Sequence, residues 1–180
     1  MSIFEFVMVL ASIVIGLGIS GLLTGLGELL RHRNRAQVYW LQLVQSLLQM
    51  VLFITVWWTG WSFNEHDNWS VGLVLLLMTA YTFFFLAGHL VFPREGNAVD
   101  YRAYYYAQHR PFYTLLLSGF ATVVVMSSWV LGSPLANQAG NLVALLPLVI
   151  LAASKSPRVH EILLPIFTSL LILGAVLTAT

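Results

Sequence analysis

Residues 3–30 read IFEFVMVLASIVIGLGISGLLTGLGELL, an apolar run with two charges, Glu5 and Glu28, one towards each end. A hydrocarbon layer about 30 Å thick is crossed by roughly 20 apolar residues in a helix, the form that satisfies every backbone N–H and C=O within the segment. The run is therefore expected to be a membrane-spanning helix, long enough to tilt. A secretory signal would need a basic leader, a shorter apolar stretch and a small-residue cleavage site. Residues 1–7 carry Glu5 and no base, so the helix is expected to be retained.

Working outward, five more segments follow the same rule. The second, 38–61, ends in the aromatic group Trp57, Trp58 and Trp61, which suits the membrane boundary. The third, 71–92, stops at Pro93, and the fourth, 111–131, opens at Pro111, a favoured first-turn position, and closes before Gly132-Ser133-Pro134. The fifth, 140–154, is short and carries Pro147 at its middle; the sixth, 159–180, has Pro165 in its second turn. The expected fold class is all-α: a polytopic integral membrane protein, a six-span transmembrane helix bundle forming a single domain over 1–180. The alternative for segment five is a re-entrant pair with segment six. Composition agrees, with 59% hydrophobic and 8% charged residues and a mean hydropathy of +0.85. A soluble chain of 180 residues would be left with a largely apolar surface.

Basic residues set the expected orientation, because Lys and Arg concentrate in short cytoplasmic loops. Arg31, Arg33 and Arg35 follow the first span; Arg94, Arg102 and Arg110 fall between the third and fourth; Lys155 and Arg158 fall between the fifth and sixth. The intervening loops, 62–70 and 132–139, hold none. Six spans in alternation place both termini outside, in a membrane read as a bacterial inner membrane. The Asn68-Trp69-Ser70 glycosylation match is then accidental. The loop 93–110, with Tyr101, Tyr104, Tyr105 and Tyr106 among Arg102, His109 and Arg110, is expected to lie as an interfacial helix or turn in the headgroup layer.

Several classes of function are disfavoured. The chain has no cysteine, which rules out disulfides and thiolate ligands, and a net charge of +1 gives no case for nucleic-acid binding. No HExxH, CxxC or Gly-x-Ser-x-Gly occurs, so neither a metal, a cofactor nor a nucleophilic catalytic residue is expected. No dependable internal repeat or interdomain linker is evident.

Three polar constellations remain. On the first helix Ser12, Gly16, Ser20, Thr24 and Glu28 recur at every fourth position, with Gly21 and Gly25 adding a GxxxG beside them. Small residues let helices in lipid approach closely, so Gly16, Ser20, Gly21, Thr24 and Gly25 are expected to pack against a neighbour within the bundle or to form an oligomer face. On the second helix Gln42, Gln45 and Gln49, with Ser46 beside them, share one face; amides in hydrocarbon need partners, which means other helices or water. Third, Glu28, His89 and Glu161, with His32, His109 and His160 slightly further out, place four of the five histidines at one end of the spans. Glu28 and Glu161 are close enough to Arg-bearing loops to snorkel or pair there.

The expected function is that of a small oligomeric channel or carrier for an ion or solute, with Glu28, Gln42, Gln45, Gln49 and His89 lining one cytoplasm-facing polar cavity. An accessory or assembly subunit of a membrane complex would use the same residues as packing surfaces. A membrane-embedded enzyme would need the cytoplasmic His and Glu groups to converge. Membrane lipid, a homo-oligomer or a partner membrane subunit are the expected company.

Overall fold

The computed structural model describes residues 2–31, 38–64, 66, 68–93, 100–130, 132, 134 and 138–178. His32, Arg33, Arg35 and Arg94 lie outside the described residues. The chain is all-helical: α1 (Ile3–Arg31), α2 (Trp40–Thr59) continued by a 3-10 turn (Gly60–Phe63), α3 (Val71–His89), α4 (Tyr101–Val130), α5 (Ala139–Ala153) and α6 (Pro157–Thr178). Five of these helices are long and apolar enough to cross a membrane, and the exception is α5, a short apolar helix. Its 15 residues rise only about 22 Å.

Local chemistry fixes several helix starts. Ser2 and Glu5 close a reciprocal capping box on α1, the Glu5 N–H donating to Ser2 Oγ at 3.1 Å and the Ser2 N–H to Glu5 Oε2 at 2.9 Å. Ser70 Oγ accepts from the Leu73 N–H at 3.2 Å to start α3. Asp100 Oδ1 accepts from the N–H groups of Arg102 and Ala103 at 2.9 and 3.0 Å and starts α4. That last cap moves a boundary. The helix begins ten residues before Pro111 and runs through it, so residues 101–110 of the expected interfacial loop are the first turns of a 30-residue helix. Proline inside a helix deletes one donor and loosens the ladder locally without having to end it. At about 45 Å, α4 exceeds the hydrocarbon thickness, and its aromatic first turns extend beyond it.

Packing closes the helices into a ring in the order α1, α3, α4, α5, α6, α2 and back to α1, with α2 also touching α3 and α4. The buried stripe of α1 is Phe4, Val7, Ala11, Ile15, Gly18, Leu22 and Leu29, at spacings of three, four and, last, seven. Aromatic knobs seated on glycines lock the ring. Phe53 of α2 is wedged between Gly18 of α1, whose added Cβ would overlap the ring, and Gly88 of α3, whose Cβ would lie 3.0 Å from Phe53 Cζ. Phe92 sits on Gly25 in the same way, and Phe84 on Gly119.

The ends of the helices meet as an alternating arrangement requires. Tyr39, just before α2, touches Tyr105 and Tyr106 near the start of α4 and reaches Glu161 near the start of α6. Phe4 at the start of α1 touches Trp61 and Trp69 at the opposite end. The end with Arg31, Arg102, Lys155 and Arg158 is called the basic end below, and the other the far end.

Candidate functional site

Two short hydrogen-bond chains converge at the basic end, where α2, α4 and α6 begin and α5 ends. In the first, Tyr113 Oη and Tyr105 Oη are 3.0 Å apart, and Tyr105 Oη is 2.8 Å from His160 Nδ1. His160 Nε2 lies 2.9 Å from the backbone carbonyl of Ser154. A carbonyl only accepts, so Nε2 carries the proton, and neutral His160 accepts at Nδ1. Tyr105 therefore donates to His160 and accepts from Tyr113, giving a chain with a direction. In the second chain Tyr39 Oη donates to Glu161 Oε1 at 3.4 Å and accepts from Tyr106 Oη at 3.0 Å. Adjacent tyrosines of α4 thus feed adjacent residues of α6.

His109 sits beside both chains. Its ring centroid is 5.4 Å from that of His160 and 6.2 Å from that of Tyr106, edge to face in each case. Its Nδ1 is 2.7 Å from the carbonyl of Tyr106 and so carries the proton. That leaves Nε2 as a lone-pair acceptor, buried and with no partner among the described residues. Arg102 lies 5.7 Å over the Tyr39 ring and adds positive charge to the rim.

The three glutamines of α2 are all buried. Gln49 Nε2 donates to the carbonyl of Phe84 on α3 at 2.9 Å, while its Oε1 has no partner among the described residues. Gln42, one turn in from Tyr39, has both amide atoms buried without a partner among the described residues. The other predicted members lie elsewhere. Glu28 is half exposed and pairs with Arg31 at 3.5 Å on the outside of α1. His89 is half-buried, its Nδ1 3.1 Å from the carbonyl of Phe85 on its own helix. It lines a groove with Phe85, Leu86, Phe92, Pro93 and Tyr104 on the α3–α4 side.

The helix-one ridge divides. Gly25 receives Phe92, and Ser12 Oγ accepts from the Trp57 indole N–H at 2.9 Å. Gly16, Ser20, Gly21 and Thr24 face outward from this chain, and a Cβ on Gly16 or Gly21 would meet nothing within 4 Å. The face that α1 turns to the bundle combines larger side chains with Ala11 and the glycine seats Gly18 and Gly25.

Compared with models of protein families, with curated proteins and with solved structures, the chain matches none. The site must be read from its own chemistry. Among the described residues no group of three or more His, Cys, Asp or Glu side chains gathers to hold a metal ion. What the arrangement offers is a proton-exchangeable relay beside unpaired acceptors and donors. Protonating His160 at Nδ1 would turn Tyr105 from donor to acceptor there and reverse its bond with Tyr113, a rearrangement that needs no backbone movement.

The sequence placed His109, His160 and Glu161 near this end but gave no reason to join them to Tyr105 and Tyr113. The available signal was the spacing of Tyr105, His109 and Tyr113, which share a face only if the helix continues through Pro111.

Proposed function

We propose that this chain is a proton-coupled membrane carrier whose working site is the Tyr105–His160 and Tyr39–Glu161 pair of chains, with Gln42 and His109 as the contacts for the carried species. The observation that carries this reading is the set of buried polar atoms without a partner among the described residues, Gln42 Oε1 and Nε2 and His109 Nε2, at the same end as the relay. A buried polar group left without a partner costs about 1–3 kcal/mol by mutational measures. Such groups next to titratable side chains point to an occupant that the chain alone does not supply, water or a small polar solute. Buried Gln45 and Gln49 continue the polar stripe inward along α2, and buried Leu52 and Phe53 follow them. A closed route of this kind favours a carrier over an open pore.

The test is proton movement in liposomes carrying a pH-sensitive dye, with the purified protein reconstituted and a pH gradient imposed. The reading expects flux above protein-free vesicles, reduced at least tenfold by Gln42→Leu and by Tyr105→Phe. Gln42→Leu should meanwhile raise thermal stability, because it removes an unsatisfied amide. No flux from folded wild-type protein, with or without added small solutes, would sink it.

A second reading, an accessory or self-associating subunit, is favoured by one specific observation, the exposed small-residue face of Gly16, Ser20, Gly21 and Thr24. It expects Gly16→Leu with Gly21→Leu to reduce the oligomer or complex size, and an unchanged size would remove it.

A further inference from the structure

Away from the relay, a cavity of about 610 Å³ opens inside the ring between α2, α3, α4, α5 and α6. Its size falls in the range of small-molecule and lipid-chain pockets, about 300–1,000 Å³. Its floor is Leu52, Phe120, Pro147 and Phe167, each near the middle of its helix. Its upper wall is Thr59, Gly60, Ser62 and Ser127, at the far end of the bundle. From Leu52 to Gly60 the rise is about 12 Å.

The polarity of the lining follows depth. Below, the wall is aliphatic and aromatic apart from Thr55, whose hydroxyl donates to the Val51 carbonyl of its own helix at 2.9 Å. Above, it gathers the hydroxyl residues Thr59, Ser62, Ser127 and Tyr81. Tyr81 is 1% exposed, and its ring rises from α3 towards the far end, so that a Cβ on Gly60 would lie 2.9 Å from its Oη. Tyr81 is part of the cavity wall. A hydroxyl in the cavity wall can donate its proton to an acceptor on whatever fills the space. The way in is lateral, since Ile54, Trp58 and Leu170 line the cavity and also lie on the outer surface of α2 and α6.

We propose that this cavity is a binding site for one acyl chain of a membrane phospholipid from the far-end leaflet. Its ester carbonyl accepts the Tyr81 hydroxyl proton and its methylenes fill the space down to Phe120 and Phe167. An apolar chain with a single acceptor at its upper end has the same profile as the cavity: hydroxyls at the depth of the ester layer, hydrocarbon towards the midplane, and a side opening onto lipid. A soluble polar solute finds no such match, because the lower lining is apolar apart from Thr55, whose hydroxyl proton is already given to its own helix.

The experiment uses full-length wild-type protein in vesicles containing a phosphatidylcholine with a photoactivatable diazirine part-way along one acyl chain. After illumination, the crosslinked residues are mapped by mass spectrometry of the peptides. The expected labels fall on the inward-facing residues Phe120, Val123 and Phe167, alongside general labelling of the outer surface. Filling the space with Ala144→Phe should lower the inner labels at least tenfold while the outer labels persist. Tyr81→Phe, which keeps the cavity and removes the donor, should lower them severalfold. Inner residues unlabelled in wild type, or labelled in Tyr81→Phe and Ala144→Phe as strongly as in wild type, would overturn the assignment. If Ala144→Phe does not fold, the wild-type map and Tyr81→Phe still decide it.

Discussion

Replacing Gly18 by alanine adds one methyl group and tests how the ring of helices is held together. A Cβ at this position would overlap the Phe53 ring, with Cε1 and Cε2 at 2.9 and 3.0 Å. The same ring tip faces Gly88, where an added Cβ would stand 3.0 Å from Cζ and 3.2 Å from Cε2, so the two glycines together make the seat that the ring fills. Overpacking of a filled site costs about 1–3 kcal/mol. Exchanging glycine for alanine in a helix interior returns about 1 kcal/mol. The expected net destabilisation is about 0–2 kcal/mol, or a fall in melting temperature of up to about 8 °C for a chain of this size. Gly16→Ala and Gly21→Ala, where nothing lies within 4 Å, carry the propensity gain alone and should melt at or slightly above wild type.

The assay is a fluorescence melt in mild detergent at matched protein and detergent concentrations. Half-life at a fixed temperature is the readout if unfolding proves irreversible. A rescue makes the logic specific. Phe53→Leu, which shortens the knob, should leave Gly18→Ala no longer destabilising, so that the double variant melts no lower than Phe53→Leu alone. The wedge would be refuted by a Gly18→Ala protein as stable as Gly16→Ala, or by Phe53→Leu failing to rescue it.

Two more expectations can be measured on the same material. Tyr105→Phe strands both Tyr113 Oη and His160 Nδ1, whereas Tyr113→Phe removes only the end of the chain; stability should fall further for Tyr105→Phe, by about 1–3 kcal/mol more, and equal effects would contradict the central place of Tyr105 in the chain. Because the chain has no cysteine, single-cysteine labelling in intact cells tests the orientation: Asn64→Cys is expected to react from outside and Ser156→Cys only from the cytoplasm, and the reverse pattern inverts the topology.

The helices were legible because lipid makes length and hydropathy nearly sufficient. A run such as 3–30 has few other ways to satisfy its backbone, and five of the six expected segments correspond to helices long enough to span. The fifth stayed ambiguous for a physical reason that remains in the structure: α5 is 15 residues long with Pro147 inside it. Which face a helix turns inward was harder to read. In water an amphipathic pattern marks it, but between helices in lipid the inner and outer faces of α1 are almost equally apolar. The small-residue ridge was the visible signal. The structure instead buries the stripe of Phe4, Val7, Ala11, Ile15, Gly18 and Leu22, and uses single glycines as seats for aromatic rings. No spacing rule within one helix picks Gly18 over Gly16, since the choice depends on where Phe53 of another helix falls.

The relay was hidden by a different ambiguity. Residues 101–110 have the composition of a headgroup-layer loop, and Pro111 carries the signal of a helix start. Both cues are sound separately. The cap at Asp100 outweighs them by starting the helix early, and the continuation through Pro111 brings Tyr105, His109 and Tyr113 onto one face against the first turn of α6. Hydroxyls and imidazoles at the membrane boundary can each be solvated singly, so their clustering was not required by hydropathy. Burial removes that option. Once His160 and Tyr105 are enclosed, each must find a partner, and the carbonyl of Ser154 fixes the proton of one and thereby the direction of the rest. The glutamines show the converse. Gln49 meets half of the demand by giving its amide proton to a carbonyl on α3, whereas Gln42, equally buried and one turn from Tyr39, finds no partner among the described residues. A bundle selected only for packing would gain by placing leucine there. The retained amide is therefore the strongest single reason to look for an occupant at the basic end.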